Sequence, residues 1–117
     1  MKAIIEIAKR GSAILAARQQ LSQSQQGQSV DYHLFFESAQ SLFSELTPIR
    51  LELLNALSQV GSCSVYTLAK NTARNSASVQ TDVTRLEELR LIEKNHEGAI
   101  FVPFESVEIV MPLAKAA

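Results

Sequence analysis

Apolar positions along the chain change period several times, and each change marks an element. "KAIIEIA" near the start partly alternates and is rich in Ile, which predicts a strand. After "KRG", Ser12 caps a helix running to about Gln26, whose apolar stripe (Ile14, Ala17, Leu21) is narrow. Its "QQLSQSQQGQ" tail reads as a solvated helix end turning at Gly27. "SVDYHLFFES" returns to a period of two, with Val30, Tyr32, Leu34 and Phe36 on one side and Asp31, His33 and Phe35 on the other. Ser38 then caps a short helix carrying Leu42, Phe43 and Leu46. Two strands alone are marginal. They must pair over the rest of the domain or complete a sheet with a second copy of the chain.

From Thr47 the helical period takes over. Thr47-Pro48 is a cap followed by proline at the first helical position, and "IRLELLNALSQV" follows with Ile49, Leu53, Leu54 and Leu57 as its stripe, ending at Gly61. Ser64 caps "VYTLAKN", with Val65, Leu68 and Ala69 inward. After "TARN", Ser76 caps a third helix, "ASVQTDVTRLEELR", which buries Val79, Val83 and Leu86 with Leu89 beside them. "LIEKN" and "AIFVPF" then alternate around the turn "HEG", where Gly98 permits positive φ, and "SVEIVMP" is a last strand with Val107, Ile109 and Met111 on one face. The predicted class is α+β: a winged helix-turn-helix over residues 47–117, three helices plus a β-wing, preceded by a strand-helix-strand arm over residues 1–46 that serves dimerisation, partner binding or both.

Stacking the third helix on the core through Val79, Val83 and Leu86 turns Ala77, Gln80, Thr81, Thr84 and Arg85 outward, at about 100° per residue. In a helix-turn-helix the second helix of the pair enters the major groove. Gln pairs bidentately with adenine, Arg with guanine, and Thr meets a base edge or a thymine methyl. Ser76 and Ser78 lie at the helix start, where unpaired backbone N–H groups favour phosphate, and Arg74 and Asn75 precede them. Thr67 and Lys70 on the preceding helix are placed for the adjacent backbone, and Lys94, Asn95 and His96 for the wing tip. Competing readings stand beside these: an intrahelical pair of Arg85 with Glu88 or Asp82, and His96 as a plain turn residue.

Charge changes the picture. Eleven Lys and Arg stand against twelve Asp and Glu, a formal net charge of −1. Phosphate neutralisation supplies most sequence-independent DNA affinity. From Ser64 to Leu86 the balance is weakly positive (Lys70, Arg74 and Arg85 against Asp82), but Glu87, Glu88, Glu93, Glu97, Glu105 and Glu108 follow. One copy alone is expected to bind weakly, and a symmetric dimer to double the phosphate contacts.

Other chemistries find little support. Two histidines (His33 and His96) and one cysteine, Cys63, assemble neither a catalytic set nor a structural zinc site, and no phosphate-binding glycine loop occurs, so neither an enzyme nor a cofactor is expected. Cys63 reads as a small inert residue or a redox-sensing thiol. The opening "MKAIIEIAKRGSAILAA" fails as a secretion signal because Glu6, Lys9 and Arg10 break it, and no apolar run approaches membrane-spanning length, so the expected location is cytoplasmic.

"LTPIRLELLNAL", "SVYTLAKNTARNSASVQTDVTRLEELRLIEK" and "GAIFVPFESVEIVMP" together resemble the MarR-like winged-helix DNA-binding proteins, most recognisably in the "LEELRLIE" run. The turn residues "NTARN" depart from the glycine often found there. The front half, with "FFESAQSLFSELTP", resembles small prokaryotic regulators encoded beside a toxin, the TumA-like antitoxins of TumE/TumA-type modules. That resemblance implies a transcriptional repressor that binds double-stranded operator DNA as a homodimer, autoregulates its operon and neutralises a cognate toxin by direct binding. The alternatives are a stand-alone MarR-like regulator answering a small molecule or oxidant, and a winged helix used only for protein contact.

Overall fold

A computed structural model describes residues 1–8 and 30–113. The chain is α+β and divides into two compact units, one drawn from Met1–Glu45 and the segment from Phe104 onward, the other from Leu46–Pro103. The helix expected between Ser12 and Gln26, the tail after it and the last four residues lie outside the described residues.

The first unit is built on a three-stranded sheet. Strand β1 (Lys2–Ile7) lies between β2 (Tyr32–Phe36) and the later β5 (Ser106–Val110), parallel to both. In register, Ala3 pairs with Tyr32 and Val107, and Ile5 with Leu34 and Ile109. A central strand flanked on both sides buries its apolar positions, and Ala3 and Ile5 are fully buried. Here the structure corrects the sequence division. The last strand, assigned to the carboxyl half, instead joins β1, because only there does it satisfy the second row of β1 backbone groups. Met111 lies beyond that strand and is exposed. Asp31 Oδ1 accepts the Lys2 N–H at 2.9 Å, and Tyr32 stacks on Phe104 with ring centroids 5.8 Å apart. His33 and Phe35 stack on the opposite face at 6.0 Å, as strand alternation requires. Helix α1 (Ala39–Glu45) follows, its Ser38 hydroxyl accepting the Ser41 N–H; Leu42 is buried while Phe43 is exposed.

The second unit holds three helices and a hairpin. Helix α2 (Pro48–Val60) starts at Thr47, whose hydroxyl accepts the Arg50 N–H, and stops at Gly61 with φ of 85°. Helix α3 (Val65–Asn71) is capped by Ser64, which accepts the Thr67 N–H at 3.1 Å. Helix α4 (Ser76–Glu88) packs against α3. Strands β3 (Glu93–Lys94) and β4 (Ile100–Phe101) pair antiparallel around a turn in which Gly98 has φ of 84°. Cys63, between α2 and α3, exchanges both backbone hydrogen bonds with Ile100 (3.1 and 2.8 Å), tying the hairpin to the helices. Leu53, Leu57, Leu68, Val79, Val83, Leu86, Leu91 and Ile100 are all essentially inaccessible and form the core of this unit.

Four details differ from the sequence reading. Ile49 is 54% exposed, so the α2 stripe narrows to Leu53, Leu54 and Leu57. Leu91 and Ile92 are both buried, ahead of a hairpin shorter than the alternation suggested, because the chain turns there in the left-handed conformation of Arg90 (φ 63°). Val65 and Leu89 are only half-buried. The cap of α4 is Asn75, one residue before the expected Ser76, because its side chain reaches the amides of Ala77 and Ser78 in the first turn.

Candidate nucleic-acid interface

Helix α4 sorts its side chains by chemistry. Val79, Val83 and Leu86 are fully buried, and Ser76, Ala77, Ser78, Gln80, Thr81 and Thr84 are exposed, with Arg85 half-buried at their flank. The exposed groups satisfy one another: Gln80 Nε2 donates to Thr84 Oγ1 at 3.0 Å, and Thr81 Oγ1 donates to the Ala77 carbonyl at 3.1 Å. These bonds are solvent-accessible and local, so a ligand that offers equivalent partners can exchange with them at small net cost. Arg85 Nη1 donates to Glu88 Oε2 at 2.8 Å, the intrahelical competitor foreseen from spacing.

Two amides at the start of α4 are occupied by its cap. Asn75 Oδ1 accepts from Ala77 N–H at 2.8 Å and from Ser78 N–H at 3.4 Å. Of the phosphate site expected at Ser76 and Ser78, the Ser78 amide is engaged by the cap, and Asn75, exposed at the surface, is the residue that caps it.

Arg74 is also committed. Its Nη2 donates to Asp82 Oδ2 at 2.7 Å, while Arg50 Nε of α2 donates to Asp82 Oδ1 at 3.0 Å. The carboxylate is only 14% exposed. Burial alone pushes its pKa up, but the two guanidiniums outweigh burial by hydrogen bonding and charge, and hold the carboxyl below its ordinary range. Arg74 Nη1 is buried without a hydrogen-bond partner. Sequence spacing gave no sign of this three-residue cluster, since Arg50 and Asp82 are 32 positions apart.

Around α4, Thr67 and Lys70 are exposed on α3, where the Thr67 hydroxyl accepts from Ser64 Oγ at 3.1 Å. Lys70 Nζ lies 5.9 Å from the ring centre of Tyr66, which is 68% exposed. Tyr66 escaped the sequence reading, although an aromatic four residues before a lysine, off the apolar stripe, was a usable signal. On the hairpin, Lys94 is exposed with Glu87 Oε1 at 3.8 Å from its Nζ, and His96 is exposed. Asn95 Oδ1 accepts from the Glu97 and Ala99 amides (2.9 and 3.0 Å), so its side chain closes the turn instead of facing outward. All fourteen candidate residues thus lie in the second unit, with Asn75, Arg74 and Asn95 engaged in its architecture.

The charge of that unit is balanced, with Arg50, Lys70, Arg74, Arg85, Arg90 and Lys94 against Glu52, Asp82, Glu87, Glu88, Glu93 and Glu97. Lys70 and Arg90 make no ion pair with a described residue; the other four cations each face a carboxylate. Burial pushes the Cys63 thiol above its ordinary pKa. Among the described residues no group of His, Cys, Asp and Glu is placed to hold a metal ion, and no helix is long and apolar enough to cross a membrane.

A family model, HVO_A0114, matches residues 45–109, more than half of the chain and spanning every element from α2 to β4. No curated protein and no solved structure matches the chain.

Proposed function

The chain belongs to the HVO_A0114 family, and we propose that its second unit is a winged helix-turn-helix that binds double-stranded operator DNA as a transcriptional repressor. In this reading α3 and α4 are the helix pair, α4 the recognition helix and the β3–β4 hairpin the wing. The observation that carries it is the division of α4 into a fully buried apolar stripe and an exposed polar face bearing Gln80, Thr81 and Thr84. Those side chains match the major-groove edges of adenine and thymine, and Arg85, once released from Glu88, matches guanine. Lys70 and Lys94 supply phosphate contacts from the flanking elements.

A net-neutral unit gains little from counterion release, so the reading requires a homodimer reading two half-sites. The first unit is assigned to that pairing and to contact with a cognate toxin. Its sheet carries edge strands β2 and β5, and Ile109 and Val110 are exposed on the latter, with exposed Met111 just after it. The full proposal is an antitoxin of a type II toxin–antitoxin pair that represses its own operon. An oxidant-sensing regulator is the weaker reading, because burial leaves the Cys63 thiol less ionised than a free one.

Footprinting of the chain on the DNA upstream of its own gene tests the repressor reading. Two inverted half-sites about 10 base pairs apart, or a multiple of that, are expected. Absence of protection at low salt contradicts it. Co-purification with the product of a neighbouring gene tests the antitoxin part separately.

A further inference from the structure

The Arg50–Asp82–Arg74 cluster lies off the exposed face of α4 yet joins three parts of the unit. Asp82 belongs to the helix that carries Gln80, Thr81 and Thr84, Arg50 to α2, and Arg74 to the turn before α4. Each guanidinium takes a different carboxylate oxygen, so rotation of α4 about its own axis breaks at least one of two charge-assisted bonds. The cluster also leaves Arg74 Nη1 buried and unpartnered, which an apolar packing of the same volume would avoid. Its effect on charge is equally direct. Two of the six cations of the unit face one partly buried carboxylate and are withheld from solvent, with side chains 18% and 25% exposed.

We propose that Asp82 is the residue that sets sequence specificity, resting on the DNA-binding reading above: it fixes the rotation of α4 and holds Arg50 and Arg74 away from phosphate. Sequence-independent affinity then comes from few cations, while base contacts keep their geometry. The ratio of specific to non-specific binding is high because its denominator is low. Asp82 touches no base; it acts through the two arginines and the helix it holds.

The test compares wild-type protein with Asp82→Asn on operator and on unrelated duplex DNA across a salt series, with folding followed by circular dichroism. Asparagine keeps the shape and loses the charge. The specificity ratio is expected to fall by at least about tenfold, the size of one lost base-pair discrimination. The salt slope on unrelated DNA is expected to steepen by about 0.9 when the Arg74 guanidinium, no longer held by Asp82, reaches a phosphate. A folded variant with unchanged ratio and slope overturns the inference. Should the variant not fold, Arg74→Gln decides. Specific affinity that falls while the non-specific slope stays unchanged supports the clamp. A slope shallower by about 0.9 places Arg74 on phosphate and overturns it. Wild-type protein that binds no DNA removes the repressor reading and this inference together, an outcome distinct from a variant that behaves like wild type.

Discussion

Arg85 and Glu88, three residues apart on α4, are joined by a 2.8 Å hydrogen bond between Nη1 and Oε2 at the edge of the face that bears Gln80 and Thr84. The strongest candidate for reading guanine is thus held by a carboxylate that itself repels phosphate. Glu88 is exposed and Arg85 partly so, and the pair therefore contributes little to folding. Glu88→Gln is expected to leave the unfolding midpoint in urea unchanged and to tighten operator binding roughly three- to tenfold at low salt, with the gain shrinking as salt rises. A gel-shift titration at two ionic strengths checks both parts.

Asp82 predicts a dependence on pH with a definite sign. Its folded carboxyl titrates below the ordinary value of about 3.9, so the stability it contributes is fully present above that value and is lost as pH falls through the lower, folded one. Wild-type protein is expected to be more stable than Asp82→Asn near pH 7, and the difference to narrow below about pH 4. Urea unfolding of both proteins at several pH values measures it. A difference that is constant down to about pH 2 contradicts the ion-pair assignment.

The turn between α3 and α4 carries its left-handed residue at Ala73, with φ of 54°. A Cβ in that region costs about 1–2 kcal/mol, partly offset by the freedom that glycine regains on unfolding, worth about 0.5–1 kcal/mol. Ala73→Gly is therefore expected to raise stability by up to about 1 kcal/mol with no effect on DNA binding. Thermal and urea unfolding decide it.

Capping supplies a fourth expectation. Asn75 satisfies two amides at the start of α4. Asn75→Ala is expected to cost about 1 kcal/mol in urea unfolding, with Asn75→Ser or Asn75→Asp restoring most of it.

Much of this architecture was legible in the residues, for local reasons. Thr47-Pro48, Gly61, Ser64 and the Val79–Val83–Leu86 stripe act within one or two turns of chain, and each marks in sequence what it does in the structure. The exposed face of α4 was legible by the same periodicity. What escaped depends on distance along the chain. Strand β5 pairs with β1 across a hundred residues, and no pattern in "SVEIV" names its neighbour. Arg74 read as a phosphate contact because its carboxylate partner, Asp82, lies eight positions ahead and is shared with an arginine of another helix. Asn75 and Asn95 looked like exposed polar residues, and their amide-closing geometry appears only when the turn is formed.

The measurement that bears most directly on the central claim is the affinity of the triple variant Gln80→Ala, Thr84→Ala, Arg85→Ala for the upstream DNA of its own gene, beside wild type. All three changes lie on the solvent side of α4, so the unfolding midpoint is expected to stay nearly unchanged. Operator affinity is expected to fall at least about a hundredfold, with binding to unrelated DNA little altered. Wild-type protein that never shifts the DNA at low salt, or a triple variant that binds the operator as wild type does, contradicts the account.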